Sequence, residues 1–163
     1  MNPLPPPLHW REPQPTDAAF LDELFLASRD DLRQIAAAPA FLEQLVRMQQ
    51  RVHEAGLRQA YPAAQRLLIE RAGTAIGQAV VDIGAHELRL LDIAIVPNAR
   101  RGGAARAVVA HLQQEAAARG LPMGLTVNKA NLPARTLYLA LGFTVAAQDM
   151  LLEHMAWRAE GKA

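Results

Sequence analysis

Cysteine is absent from this chain, and serine occurs once. The lack of cysteine excludes disulfides, thiolate metal sites and cysteine nucleophiles. The only serine, Ser28, precedes Arg29 and lies outside any G-x-S-x-G elbow, so a serine nucleophile is not expected. The five histidines show no H-E-x-x-H or comparable spacing, and we therefore expect no metal site.

The chain also lacks a surplus of charge of one sign. The net charge at pH 7 is +1 and aromatic residues make up 5% of the chain. A nucleic-acid partner is not expected, since such proteins carry a basic surplus or an aromatic platform. No apolar run is long enough to span a bilayer, so no membrane partner is expected. The first residues lack the regions of a signal peptide, which predicts a cytoplasmic protein.

The 163 residues are sufficient for one domain with its own core. We expect residues 1–7 to form an extended, proline-rich arm and residues 8–163 to form the domain. Periodicity and turn residues predict the order strand, two helices, three strands, helix, strand, helix, two strands. The second helix is expected over residues 40–55, with these side chains facing inward: Phe41, Leu45, Met48 and Val52.

Two of the predicted strands cover residues 87–96 and 123–127, and a helix over residues 103–119 joins them. A helical crossover of this kind makes the two strands parallel, whereas the hairpins on either side are antiparallel. The sequence therefore predicts an α/β fold with a mixed sheet flanked by helices.

The most informative segment connects the first of these strands to the crossover helix. An apolar, β-branched run ends at Pro97, a basic glycine-bearing turn follows, and an alanine-rich helix begins near Gly103. Backbone N–H groups at a helix N-terminus form a cradle for a phosphate or diphosphate. The alternative is an ordinary strand–turn–helix connection. The segment matches neither the dinucleotide fingerprint nor the P-loop.

A second segment adds a longer pattern near the C-terminus. Residues 100–105 fit [Arg/Gln]-x-x-Gly-x-[Gly/Ala], and residues 131–143 fit Asn-x-x-Ala-x-x-Leu-Tyr-x-x-x-Gly-Phe at every position. Together the two motifs resemble those of the GNAT superfamily of acetyl-CoA-dependent N-acetyltransferases. Two departures bear on the site: Arg101 stands where glycine is common, and Arg89 stands about where some members carry a catalytic glutamate.

The resemblance implies a single GNAT-like domain with a twisted sheet whose parallel strands splay apart at the CoA site. It implies acetyl-CoA as co-substrate, the amine of a small molecule or peptide as acceptor, and direct attack in a ternary complex. A homodimer is left open. The residues expected to bind the cofactor are Ile93, Ile95, Val96, Arg100, Arg101, Gly102, Gly103, Ala104, Ala105, Asn131, Ala134 and Tyr138.

Two residues are candidates for catalysis. The resemblance places Tyr138 at the CoA sulfur as a proton donor, and its alternative role is aromatic packing. Asp92 is expected on one strand face with Leu88, Leu90 and Ala94, where an ionised group needs a partner. It is either a base for the incoming amine or half of an ion pair with an arginine. Asn131 is either a helix cap, a cofactor contact, or both.

Two other kinds of function stay open at this point. A catalytically weak acyl-CoA-binding or sensing module would keep the cradle at residues 100–105 without needing Tyr138. An interaction protein on the same scaffold would use the proline-rich arm or the helix with Phe20 and Phe25 as its contact surface. Turnover of acetyl-CoA with amines separates an enzyme from a binding module. Failure of any CoA to stabilise the protein would favour an interaction protein.

Overall fold

The computed structural model describes residues 1–29 and 38–161. Over these residues the predicted order of strands and helices is confirmed. The strands are β1 (Leu8–Arg11), β2 (Gln65–Arg71), β3 (Thr74–Ile83), β4 (Leu88–Ile95), β5 (Met123–Asn128), β6 (Thr144–Gln148) and β7 (Leu152–Trp157). The helices are α1 (Ala18–Ala27), α2 (Pro39–Ala60), α3 (Ala104–Ala118) and α4 (Leu132–Ala140). Three-residue 3-10 turns, Pro15–Asp17 and Pro97–Ala99, precede α1 and follow β4.

The seven strands form one sheet in the order β1-β2-β3-β4-β5-β7-β6. Only β4 and β5 are parallel, because α3 crosses over between them, and the other neighbours are antiparallel. The predicted α/β class with a mixed sheet is confirmed, and its one parallel pair is the predicted one.

One face of the sheet packs against α3 and α4 and contains the larger core. Val108, Leu112 and Ala116 of α3 are fully buried there, and the alanine lets the helix lie close to the strands. The N-terminal arm packs on the same helix: Leu4 is buried and the Asn2 N–H donates to Glu115 Oε1 at 2.8 Å. The arm is thus fixed to the helix that follows the predicted cradle.

Helix α2 differs from its prediction in length and in orientation. It runs from Pro39 to Ala60, five residues beyond the predicted end at residue 55. Its buried residues are Val46 and Gln50, whereas Phe41, Met48 and Val52 are 56%, 53% and 68% exposed. The predicted inward face is therefore wrong at three of its four positions, and Leu45 is half-buried. The apolar side chains form two helically spaced stripes, and packing against α1 buries the one that contains Val46.

A two-residue turn, Ala72–Gly73, joins β2 to β3, with Arg71 paired to Thr74. Ala72 has φ 51° and Gly73 has φ 82°. Two consecutive positive φ values define a type I′ hairpin turn, for which Asn-Gly is the preferred sequence. Alanine at the first position therefore holds a left-handed conformation that its Cβ disfavours.

We predict that Ala72→Asn raises the free energy of unfolding by roughly 0.5–1 kcal/mol, because asparagine tolerates the left-handed region better than alanine does. Urea unfolding with the slope held common measures the change. Ala72→Val is the matched control and should destabilise, since a β-branched residue is the least suited to positive φ. Equal midpoints for the three proteins would contradict the turn geometry.

Candidate active site

The loop between β4 and α3 folds into an unusual backbone conformation. Arg101 has φ 65° and Gly103 has φ 80°, on either side of Gly102. Alternation of left-handed and ordinary conformations turns successive N–H groups toward one side, which forms an anion-binding concavity. Position 101, where members of the GNAT superfamily commonly have glycine, is therefore occupied by an arginine in the left-handed conformation.

The N–H groups of residues 101–106 donate to no described main-chain or side-chain acceptor. The Arg100 N–H donates to the Pro97 carbonyl at 3.3 Å, and hydrogen bonding within α3 begins with Ala107 N–H to the Gly103 carbonyl at 2.9 Å. Six consecutive donors, called here the cradle, are thus left without partners at the positive end of a helix. The predicted set, residues 101–105, is extended by Arg106.

Charge around the cradle is uniformly positive. Arg100, Arg101 and Arg106 lie in or beside it, and the first turn of α3 carries no acidic residue. A guanidinium at a helix N-terminus is unfavourable, because that end of the helix dipole is positive and acidic residues are preferred there. The arrangement suits a bound anion that both the arginines and the N–H groups contact.

Strands β4 and β5 diverge next to the cradle. Their parallel pairing covers only Leu88 to Leu90 and ends at the pair Leu90–Leu125, although β4 continues to Ile95 and β5 to Asn128. The predicted splaying of these strands is confirmed. The divergence leaves a gap between their carboxyl ends, and the main chain at Ile93 and Ile95 borders it.

The main chain at Val96 does not face this gap as predicted. Its N–H donates to the Ile76 carbonyl on β3 at 2.8 Å, and its carbonyl accepts from the Ala99 N–H at 3.0 Å. Backbone groups alternate direction along a strand, so Val96 points toward β3 and its expected cofactor contact is corrected. The Ile95 carbonyl is also occupied, by Arg100 Nε at 2.9 Å.

A β-bulge in β4 changes the face on which Asp92 lies. Leu90 pairs with Val81 and Asp92 pairs with Val80, which leaves Leu91 as an extra residue. Adjacent residues of β3 point to opposite faces, so Asp92 lies on the face opposite to Leu88 and Leu90. The expectation that Asp92 shares their face is wrong, because simple alternation does not account for an inserted residue.

Asp92 faces the side of the sheet that α1 and α2 cover. Burial raises the pKa of its carboxyl, and electrostatic interactions with His53 and Arg66 and the hydrogen bond from Gln78 act in the opposite direction. Gln78 Nε2 donates to Asp92 Oδ2 at 3.2 Å, while Gln78 Oε1 is buried without a partner in the described part of the chain. The ion pair considered for Asp92 is not present within residues 1–29 and 38–161, since Arg66 binds Glu54 at 2.7 Å instead.

Tyr138 lies on α4 at the same end of the sheet, buried against Phe143 in an edge contact of 5.8 Å between ring centroids. Burial, with a smaller contribution from the charge of Asp92, raises the pKa of its phenol to about 12. The hydroxyl is therefore protonated at neutral pH, and no described residue hydrogen-bonds it. The charge of Asp92 acts on the phenol, although the two catalytic candidates approach the sheet from opposite faces.

Asn131 has the capping role that was one of its two interpretations. Its Oδ1 accepts the Ala134 N–H at 3.3 Å at the start of α4. The cap fixes the first turn of the helix that carries Tyr138.

Arg89 is engaged within the sheet. Its Nη2 donates to Thr126 Oγ1 at 2.9 Å, the same hydroxyl contacts His154 Nδ1 at 2.9 Å, and Nη1 lies 3.5 Å from Glu87. Its side chain therefore supplies no base at the position where some members of the resembling family have a glutamate.

Sequence reasoning did not select Arg71, Gln78 or Arg106, which the structure places at this end of the sheet. Only Arg106 had a visible signal, as a basic residue in the first turn of a helix. In the described ranges, no group of three or more His, Cys, Asp or Glu side chains could hold a metal ion, and no helix is long and apolar enough to cross a membrane.

Comparisons with known proteins agree with this geometry. The model of the acetyltransferase (GNAT) family matches residues 22–143. No match is found among curated protein sequences.

Three solved structures illustrate the similarity in fold. The PaiA N-acetyltransferase from Thermoplasma acidophilum, in complex with coenzyme A, is 18% identical, with a TM-score of 0.69 over 93% of this chain and 99% of that one. The ribosomal-protein-S18-alanine N-acetyltransferase from Escherichia coli is 20% identical, with a TM-score of 0.61 over 94% and 97%. A putative acetyltransferase, YncA, from Salmonella typhimurium with acetyl-CoA is 21% identical, with a TM-score of 0.60 over 96% of both chains. With three quarters of its length matched by the family model, the chain belongs to the acetyltransferase (GNAT) family.

Proposed function

We propose that the protein is an N-acetyltransferase that moves the acetyl group of acetyl-CoA to the amine of a small molecule or a peptide. The observation that carries the proposal is the cradle: six consecutive N–H groups, at residues 101–106, have no acceptor in the described chain and lie among arginines. A diphosphate satisfies these donors and is favoured by the helix dipole. Structural neighbours that hold coenzyme A or acetyl-CoA on this fold support the assignment.

The position of the thioester follows from that of the diphosphate. With the diphosphate in the cradle, the pantetheine arm extends into the gap between β4 and β5, where it contacts the main chain at Ile93 and Ile95. The acetyl carbonyl then lies beside the bulge, between Tyr138 on one side and Asp92 on the other. The proposed reaction uses no metal ion.

In the proposed reaction the neutral amine attacks the thioester carbonyl while both substrates are bound. A C–N bond forms, the C–S bond breaks, and CoA leaves as a thiolate. Asp92 accepts the proton that the amine loses. A raised pKa makes this carboxylate a better base than an exposed aspartate, and the unpartnered Gln78 Oε1 is a second acceptor for the amine N–H groups.

Tyr138 acts on the leaving group. A phenol with a pKa of about 12 is a weaker acid than a thiol, whose ordinary pKa is about 8.5. Complete transfer of its proton to the sulfur is therefore uphill, and we propose that Tyr138 stabilises the developing thiolate by donating a hydrogen bond. A hydrogen bond to a charged group contributes roughly 1.5–3 kcal/mol.

The non-reacting part of the acceptor is proposed to lie between the first two helices. A groove of about 450 Å³ separates α1 from α2, and its walls include Asp22, Arg47, Arg51 and Glu54. His53, on the same helix as three of these residues, acts electrostatically on Asp92. Because both signs of charge line the groove, it accommodates an acceptor with polar groups of either sign.

The binding step is tested by acetyl-CoA itself. We predict that acetyl-CoA at about 100 times its dissociation constant stabilises the fold by roughly 2.7 kcal/mol, because the cradle exists only in the folded state. Thermal unfolding with acetyl-CoA, propionyl-CoA and CoA measures this. Unchanged melting temperatures with all three would refute the proposal.

Arg106→Glu is the matched variant for this test. An acidic residue at this first-turn position favours the helix dipole, so the unliganded protein should be as stable as wild type or slightly more stable. The same charge repels the diphosphate, so the stabilisation by acetyl-CoA should fall sharply. Turnover of acetyl-CoA with a panel of amines then separates an enzyme from an acyl-CoA-binding module.

We predict that Tyr138→Phe lowers kcat by about 10- to 100-fold, which corresponds to the loss of one hydrogen bond to a charged leaving group. The dissociation constant of CoA should change little, since the ring keeps its packing against Phe143. The assay uses an amine identified in the panel. Wild-type kcat in the variant at all pH values would reduce Tyr138 to a packing residue.

We predict that Asp92→Asn stabilises the protein at neutral pH while it lowers activity. The pKa of Asp92 is raised in the folded state, so its ionisation opposes folding as pH rises through that pKa. The gain in unfolding free energy should therefore be largest above the folded-state pKa and should vanish as pH falls toward the ordinary value of 3.8. Urea unfolding at several pH values measures it. A destabilised, fully active variant would exclude the role of base.

A further inference from the structure

Arg71 reaches the cradle from a distant part of the chain. It is the last residue of β2, and its Nη2 donates to the Gly102 carbonyl at 3.1 Å. Within the described residues its guanidinium has no carboxylate partner. The interaction that the structure shows for this side chain is therefore its hydrogen bond to the Gly102 carbonyl. The tight β2–β3 turn next to Arg71 fixes the position of its main chain.

The Gly102 carbonyl has a specific relation to the first turn of α3. In a regular helix, the carbonyl of residue 102 accepts the N–H of residue 106. The next pair follows this rule, since Ala107 N–H donates to the Gly103 carbonyl at 2.9 Å. No bond joins Arg106 N–H to Gly102, whose carbonyl is turned toward Arg71 instead. Because the helix begins at Ala104 with Gly103 as its N-cap, the Arg106 N–H is one of the donors that a helix N-terminus leaves free, and the Gly102 carbonyl would be its acceptor only if the helix began one residue earlier.

The absence of a side chain at position 102 is explained by the same contact. Gly102 is not among the glycines with positive φ, so its conformation does not itself require glycine. A Cβ there would lie 2.8 Å from Arg71 Nη1, 3.3 Å from Arg71 Nη2 and 3.3 Å from the Ala99 carbonyl oxygen. Glycine at this position therefore makes room for the guanidinium.

We propose that Arg71 is a positioning residue for the diphosphate site: it holds the Gly102 carbonyl away from the anion and keeps the Arg106 N–H free to bind it. The inference rests on the proposed binding of acetyl-CoA in the cradle. The β2–β3 hairpin, which carries Arg71, thereby contributes to the affinity for the cofactor. Because Arg71 contacts the Gly102 carbonyl in the diphosphate loop, the effect belongs to binding and not to the chemical step.

The first test measures CoA affinity by calorimetry in Arg71→Ala and Arg71→Lys. We expect Arg71→Ala to weaken CoA binding by about tenfold, the effect of one hydrogen bond and a nearby charge. Arg71→Lys should recover part of the loss, since lysine keeps the charge without the planar fork. KM for acetyl-CoA should rise by the same factor, and kcat at saturation should not change. Arg58→Ala, which removes an equal charge from an 82% exposed side chain, should bind CoA as wild type does.

The second test is a double-mutant cycle with Gly102→Ala. The added methyl group displaces the guanidinium, so this variant alone should weaken CoA binding about as much as Arg71→Ala. In the Arg71→Ala background the same change should have a smaller effect, because no guanidinium remains to be displaced and only the 3.3 Å approach to the Ala99 carbonyl oxygen is left. A general loss of hairpin stability would lower the unfolding free energy but would not produce this coupling.

The outcomes separate the two proposals. If wild-type protein binds CoA and Arg71→Ala binds it equally well, or if the effects of the two substitutions are additive, the role of Arg71 is overturned while the proposed function stands. If wild-type protein binds no CoA, the proposed function fails and this inference fails with it. Weaker binding in Arg71→Ala together with strong coupling to Gly102→Ala supports it.

Discussion

After Leu90, strand β4 turns away from β5, and the extra residue Leu91 sits at the point of departure. A bulge increases the local twist of a strand, which carries the rest of β4 out of reach of a parallel partner. The same insertion moves Asp92 to the face opposite Leu90. One inserted residue therefore opens the gap between the strands and also decides which side of the sheet receives the carboxylate.

In the loop that follows β4, main-chain N–H groups are likewise left without hydrogen-bond partners. Arg101 is held in a left-handed conformation, Arg71 donates to the Gly102 carbonyl, and six N–H groups have no acceptor in the described chain. Unpaired donors and like charges at a helix N-terminus are unfavourable in the absence of a ligand. The scaffold tolerates them because α3, beyond its first turn, is anchored by fully buried residues such as Val108 and Leu112.

Much of this could be predicted from the sequence, for physical reasons. Pro97 and the glycines after it mark a turn in any fold, and the helical crossover that follows makes β4 and β5 parallel. The bulge could not be predicted, because Leu91 looks like any apolar strand residue and its position depends on pairing with β3. The inward face of α2 was misassigned because its sequence has two apolar stripes. Arg71 was missed because only the folded hairpin brings it to Gly102, 31 residues away in the chain.

Several unfavourable features of the described residues lie at one end of the sheet. They are the left-handed Arg101, the partly desolvated carboxylate of Asp92, the unpartnered Gln78 Oε1 and the arginine at position 106 in the first turn of α3. Strain and unsatisfied polar groups persist where the surrounding structure enforces them, and they concentrate at functional sites. In the proposed function a diphosphate satisfies the features of the cradle, and an amine satisfies those around Asp92. We propose that the acetyl group meets the amine nitrogen at the gap between β4 and β5, which lies between the two sets.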